Sequence, residues 1–182
     1  MDMRMRTSRG TEETTMSETI TETAQYLTFK LEDEVYATDI VQVREVLEYS
    51  RVTKVPRTPD YMRGVINLRG RVVPVLDLKL RFGMSRTEQT VNTCVIIVEV
   101  NVDGDSMVIG ALADSVQEVV EIDSSVIEPP PRIGTRLNTD FIRGMGKRDE
   151  QFVIILDIDK VFSSENLDAV KATVGEPGKG AE

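Results

Sequence analysis

Apolar residues along this chain fall into short runs bounded by turn residues, and few of the runs follow a helical period. Tyr26-Leu-Thr-Phe-Lys-Leu31 alternates as a half-buried strand does, and Glu32-Asp-Glu34 turns the chain into Val35-Tyr-Ala37. Residues 65–68 and 71–76 read as a hairpin about the turn Arg69-Gly70. Residues 95–102 and 107–112 read as another about Asp103-Gly104, a dipeptide suited to the positive φ angles of a tight hairpin. Pro74 interrupts an apolar run and is expected at an edge strand or bulge, because proline cannot donate to a ladder. Helix is scarce. Ile40, Val43, Val46 and Leu47 suit a helical turn running into a strand, and residues 163–173 read as a final helix capped by Ser163 or Ser164. Short strands with turns at this spacing predict small β-barrels, which close a sheet and remove its exposed edges.

The pattern also repeats. Asp60, Arg63, Gly64, Val73, Leu76, Asp77 and Phe82 recur 80 residues later as Asp140, Arg143, Gly144, Val153, Leu156, Asp157 and Phe162. Upstream, Val43-Arg-Glu-Val-Leu47 matches Val116-Gln-Glu-Val-Val120 at an offset of 73. Two copies of one unit predict a pseudo-symmetric pair of small domains with a seam between them. Each unit has only about 50 to 60 residues, near the lower limit for a self-sufficient core, so the two are expected to lean on each other.

Composition narrows the function. The net charge is −9, which argues against general nucleic-acid binding, a process driven by Lys and Arg contacts to phosphate. The chain has no histidine, which removes the commonest general base and metal ligand. The single cysteine, Cys94, lies in an apolar run and reads as a core residue. No run approaches a membrane span and the N-terminus lacks a signal-peptide core, so a cytoplasmic location is expected. Residues 1–24 read as a disordered leader, with Met16 as an alternative start, and residues 169–182 as a flexible tail.

Asp77 and Asp157 are equivalent carboxylates that a seam would bring near each other, but an Asp closing an apolar strand ordinarily bonds local backbone N–H groups. With no histidine, metal cluster or phosphate loop beside them, they make no catalytic case. Asn67-Leu-Arg-Gly70 reads equally as a solvated turn and as an interface, since Arg suits planar pairing with carboxylates. The second copy has Lys147-Arg-Asp-Glu150 there, so the copies diverge at this turn. Val43, Glu45 and Val46, like Val116, Glu118 and Val119, form a mixed face. The valines read either as core or, if Val43 and Val116 flank the seam, as an apolar groove with acidic rims that suits an amphipathic helix. Pro129-Pro-Pro131 reads as a stiff connector.

The string Tyr36…Asp39-Ile…Val43-Arg-Glu-Val…Pro56…Pro59…Gly64-Val-Ile-Asn-Leu-Arg-Gly70…Val73-Pro-Val-Leu-Asp-Leu78 resembles the CheW family of chemotaxis coupling proteins, over about residues 25–165. The resemblance implies a mainly β fold of two small five-stranded SH3/OB-like barrels in tandem, with a short C-terminal helix. On this reading the CheW-like domain spans 25–168, with a first barrel at about 35–90. The second barrel takes about 91–162, completed by the N-terminal strand 26–31. The resemblance further implies an adaptor with no catalytic activity and no cofactor. Its partners would be the cytoplasmic tip of methyl-accepting chemoreceptors and the regulatory domain of a CheA-type histidine kinase, with recruitment to membrane receptor arrays. Carried over by position, the receptor groove takes Leu27, Ile40, Val43, Val46 and Val116. The polar coupling and hairpin positions take Glu45, Gly64, Asn67, Arg69 and Gly70. The alternative is an oligonucleotide-binding small barrel, which needs a basic groove with stacking aromatics; this chain has no Trp and an excess of acid.

Overall fold

The computed structural model describes residues 23–130 and 141–162; the leader before residue 23, the last proline of the connector, the helix expected at 163–173 and the C-terminal tail lie outside them. Among the described residues, ten strands form two five-stranded sheets. One sheet runs β3 (Val43–Glu48), β6 (Cys94–Val102), β7 (Asp105–Ala113), β5 (Arg71–Asp77), β4 (Met62–Leu68). The other runs β8 (Ser115–Asp123), β1 (Thr23–Leu31), β2 (Glu34–Asp39), β10 (Gln151–Leu156), β9 (Ile142–Arg148). Two one-turn helices, α1 (Leu78–Arg81) and α2 (Ile158–Val161), come directly after β5 and β10.

Each sheet closes through one bridge between its outermost strands. Thr53, downstream of β3, exchanges backbone hydrogen bonds of 2.9 and 2.8 Å with Val65 on β4. Glu128, downstream of β8, does the same with Met145 on β9, at 2.9 and 2.7 Å. The repeated Arg-Gly pair has its physical reason here. A Cβ on Gly64 would lie 2.3 Å from the Thr53 carbonyl oxygen, and one on Gly144 would lie 2.8 Å from that of Glu128. Only glycine lets the closing strands approach this far.

Strand membership differs from a division of the chain near residue 90. The strand at 34–39 belongs to the second barrel, because a tight turn makes it one hairpin with β1 and its other edge pairs in parallel with β10. The β6–β7 hairpin belongs to the first barrel, where β6 pairs with β3 and β7 pairs in parallel with β5. The chain therefore passes between barrels twice, through the 3-10 turn Ile40–Gln42 and again at Asp114. Pro74 is not on an edge strand, since β5 lies between β7 and β4. It is tolerated because the carbonyl of Val65, its partner on β4, accepts the Thr53 N–H on the far side and needs no donor from Pro74, while pairing with β7 begins only at Val75.

Three apolar clusters hold the fold. Val73, Val75, Val95, Ile97 and Leu112 fill the first barrel, and Tyr26, Ala37, Val120, Ile122, Val153 and Ile155 fill the second. The largest lies between them and draws on both, including Phe29, Leu31 and Tyr36 from one side and Leu76, Leu78, Ile96 and Val98 from the other. Stacked rings of Phe29, Tyr36, Phe82 and Phe141 run through this seam, with successive centroids 6.1, 6.0 and 4.6 Å apart. Neither barrel is a complete folding unit without this shared layer.

Candidate functional site

The residues singled out in the sequence separate onto the two faces of β3. In a regular strand Val43, Glu45 and Leu47 share one face and Val46 takes the other. A bulge at Arg44 changes this: Val43 stands opposite Val98 and Val46 opposite Ile96, both residues of the seam. Glu45 instead stands opposite Ile97, inside the first barrel. One strand thus offers valines to the seam and a carboxylate to the barrel mouth.

On the seam face, Ile40, Val43 and Val116 are half-buried and pack against the central cluster. Val43 is accordingly part core, and only Val46 of the first wall stands clear, 39 % exposed. Its counterpart Val119, 73 residues on, is 48 % exposed on β8 and pairs with Leu27, the neighbour of Tyr26 inside the second barrel. Leu27 itself is 5 % exposed and supports the floor of this face, leaving little surface for a partner to touch. Val119, read from the sequence as part of a mixed face, is absent from the groove set that the resemblance implies. The offset that pairs Val43 with Val116 pairs Val46 with Val119, so the signal was present.

On the other face, Arg69 grips Glu45 with both terminal guanidinium nitrogens, Nη2 lying 3.2 Å from Oε1. Arg69 and Gly70 both have positive φ, 53° and 84°, the geometry of a two-residue hairpin turn that matches strand twist. Asn67 stabilises that turn by accepting the Gly70 N–H at 2.8 Å. The hydrogen bonds from Arg69, and then its charge, hold the Glu45 carboxyl below its ordinary value, and Glu45 raises Arg69 in turn. Glu45 and Arg69 join Arg44, Leu68, Arg71, Val73, Ile97 and Val108 around a cleft of about 170 Å³ at the mouth of the first barrel. Gly64 is not at this turn. It sits at the closing bridge, so its effect on the hairpin is to hold β4 against Thr53.

Neither repeated aspartate is a free carboxylate. Asp77 is fully buried and accepts from Lys79 N, Thr87 N, Thr87 Oγ1 and Arg63 Nη1, at 3.1, 3.0, 2.7 and 3.2 Å. Asp157 caps α2 through Lys160 N at 3.3 Å. Among the described residues, no group of three or more His, Cys, Asp or Glu is placed to hold a metal ion, and no helix is long and apolar enough to cross a membrane.

Residues 25–166 match the family model described as a CheW-like domain. A chemotaxis protein CheW of Klebsiella aerogenes is 35% identical over 143 residues, covering 79% of this chain and 84% of the relative. Protein FrzA of Myxococcus xanthus is 34% identical over 130 residues, covering 70% and 78%. Among solved structures, the scaffolding protein TtCheW of Thermoanaerobacter tengcongensis superposes with a TM-score of 0.67 at 38% identity, covering 76% of this chain and 92% of that one.

Proposed function

As the chain belongs to the CheW-like domain family, we propose that it is a non-catalytic chemotaxis adaptor coupling the tips of methyl-accepting receptors to a CheA-type histidine kinase. The observation that carries the reading is the pair of exposed valines, Val46 and Val119, at equivalent places on the two wall strands over a core shared by both barrels. An apolar strip between two walls suits one face of an amphipathic helix, and a receptor tip is a helical hairpin. The polar face of β3, with Glu45 and Arg69, lies on the other side of the strand and is the candidate kinase contact. Separate faces allow both partners to be held at once, and joint engagement strengthens two modest contacts by raising effective concentration. The work of such a protein is done at membrane-bound receptor arrays from the cytoplasm. The oligonucleotide reading is not favoured, since the net charge is −9 and four of the few aromatic rings, Phe29, Tyr36, Phe82 and Phe141, are stacked within the seam.

The test is binding of a receptor-tip hairpin and of a kinase regulatory domain to the purified chain. Val46→Asp and Val119→Asp should each weaken the hairpin at least about tenfold, roughly the worth of one lost apolar anchor, while the fold is kept. Kinase binding should survive both changes. If neither partner binds the parent chain at micromolar concentration, the coupling role is wrong.

A further inference from the structure

Both walls of the groove begin at a place where the chain crosses between barrels. β3 starts directly after Gln42, and β8 starts directly after Asp114. Each crossing is held by a side chain of the barrel that the chain is leaving or entering, and the two holding residues are counterparts. Lys79 on α1 of the first barrel brings its Nζ to 3.4 Å from Asp114 Oδ2 and 3.8 Å from Glu32 Oε2. Asp159, 80 residues later on α2 of the second barrel, accepts from Gln42 Nε2 at 3.0 Å and from the Asn101 N–H of β6 at 2.9 Å.

The surroundings strengthen both arrangements. The Lys79 side chain is only 9 % exposed, and these two carboxylates are the groups that compensate the cost of burying it. Asp114 Oδ2 also accepts the Glu32 N–H at 2.7 Å, and its own N–H donates to Lys30 O at 3.0 Å, tying the crossing to the β1–β2 hairpin. Gln42 makes a second bond, to the Glu99 carbonyl of β6 at 3.3 Å. The capping aspartates set where the latches point, because Lys79 and Asp159 each lie two residues beyond Asp77 and Asp157. Arg81 Nε donates to Val161 O at 3.2 Å, and these two are themselves counterparts. A residue that touches its own counterpart lies at the pseudo-dyad, so the dyad passes between α1 and α2, with Lys79 and Asp159 on either side of it.

We propose that Lys79 and Asp159 are a matched pair of positioning residues that hold the two barrels at one angle and thereby set the spacing of the groove walls. The chemistry is reciprocal: a buried cation gathers two carboxylates at one crossing, and a carboxylate gathers two neutral donors at the other. The consequence for docking rests on the function proposed above; the angle itself does not.

The experiment measures the angle in the free, full-length chain. Nitroxides are placed at Val72→Cys on β5 and Phe152→Cys on β10, equivalent exposed positions outside the groove, in a Cys94→Ala background. Pulsed electron paramagnetic resonance should give one narrow distance for the parent. Lys79→Met and Asp159→Ala should each broaden or shift it, and Lys79→Arg, which keeps the charge, should restore the parent distribution. If the docking-competent angle falls to a tenth of the population, hairpin affinity falls about tenfold with Val46 and Val119 untouched. A purely stabilising contact would lower the melting temperature and leave the distance of the folded molecules unchanged, and that result overturns the proposal. Should Lys79→Met not fold, Asp159→Ala, at the less buried latch, decides by the same measurement. A parent chain with a narrow distance that fails to bind the hairpin counts against the coupling role, not against the latch.

Discussion

The two barrels are copies that have kept their closure and, among the described residues, parted in the partners of the aspartate and arginine that recur in each repeat. Both close through one bridge over a glycine, and both end that strand in an aspartate that caps a one-turn helix. In the first barrel that aspartate is fully buried and also binds Arg63 and Thr87, fastening the segment beyond α1. Arg63 continues the network to Thr87 O at 2.9 Å and lies 5.6 Å from the Tyr49 ring centroid. In the second barrel the matching arginine, Arg143, turns to Asp39 at 3.8 Å instead, and among the described residues Asp157 caps its helix. Identity of sequence therefore preserves a backbone role, while the same side chain takes different partners in the two settings.

Removing the carboxylates should expose that difference most strongly. Asp77→Ala strands the Arg63 charge and leaves the buried Thr87 N–H without an acceptor, so a loss of about 3–5 kcal/mol is expected. Asp157→Ala removes a helix cap and should cost about 1 kcal/mol. Urea unfolding of the two variants measures both, and equal losses would mean that the buried network adds nothing to the cap. The glycines come next. Gly64 has a φ of 148° and faces backbone, so Gly64→Ala meets both strain and a clash that no side chain can relieve, at about 3 kcal/mol. At Gly144 the nearest obstacle is Ile127 Cγ2 at 2.5 Å, which can move, so Gly144→Ala should cost about 1–2 kcal/mol despite the Glu128 carbonyl behind it. Thermal melts that reverse this order would show that the second closure is the tighter one.

How much of this is legible in the sequence depends on how local the determinant is. The hairpins about Asp103-Gly104 and Arg69-Gly70 are legible because two residues with positive φ specify them. Barrel membership is not, because it rests on the parallel pairings β2–β10 and β5–β7, which join apolar runs far apart in sequence that look alike. The same limit applies at the site. Val43, Val46 and Val116 are legible as a face, but the bulge at Arg44, which puts Val43 and Val46 together and sends Glu45 to the other side, leaves no mark in an alternating pattern. Comparing Val46 with its counterpart supplies Val119. No comparable signal reveals that Leu27 lies beneath the groove rather than in it.

The smallest expected effect concerns the two hairpin arginines. Arg69 holds Glu45 in the first barrel, and Arg148, one place earlier than the equivalent turn position, reaches Glu118, the counterpart of Glu45, at 2.9 Å in the second. The turns diverge in sequence, yet each barrel keeps an arginine–glutamate pair between its hairpin and its wall strand. Both pairs face solvent, so neither should move the melting temperature appreciably. Under the coupling role proposed above, their value is to hold charge in place for a partner. Because Arg69 lowers the Glu45 carboxyl in the folded state, the pair is fully formed above the ordinary carboxylate range and is lost only as the pH falls through the depressed folded value. No histidine titrates at higher pH to disturb it. Binding at this face should therefore stay level from neutral pH into mild acid. Carboxyl NMR titration should show the Glu45 midpoint rising toward the ordinary value in Arg69→Ala. An unchanged midpoint would mean that Arg69 does not hold Glu45 in solution, and the polar face of β3 would then lose its fixed geometry.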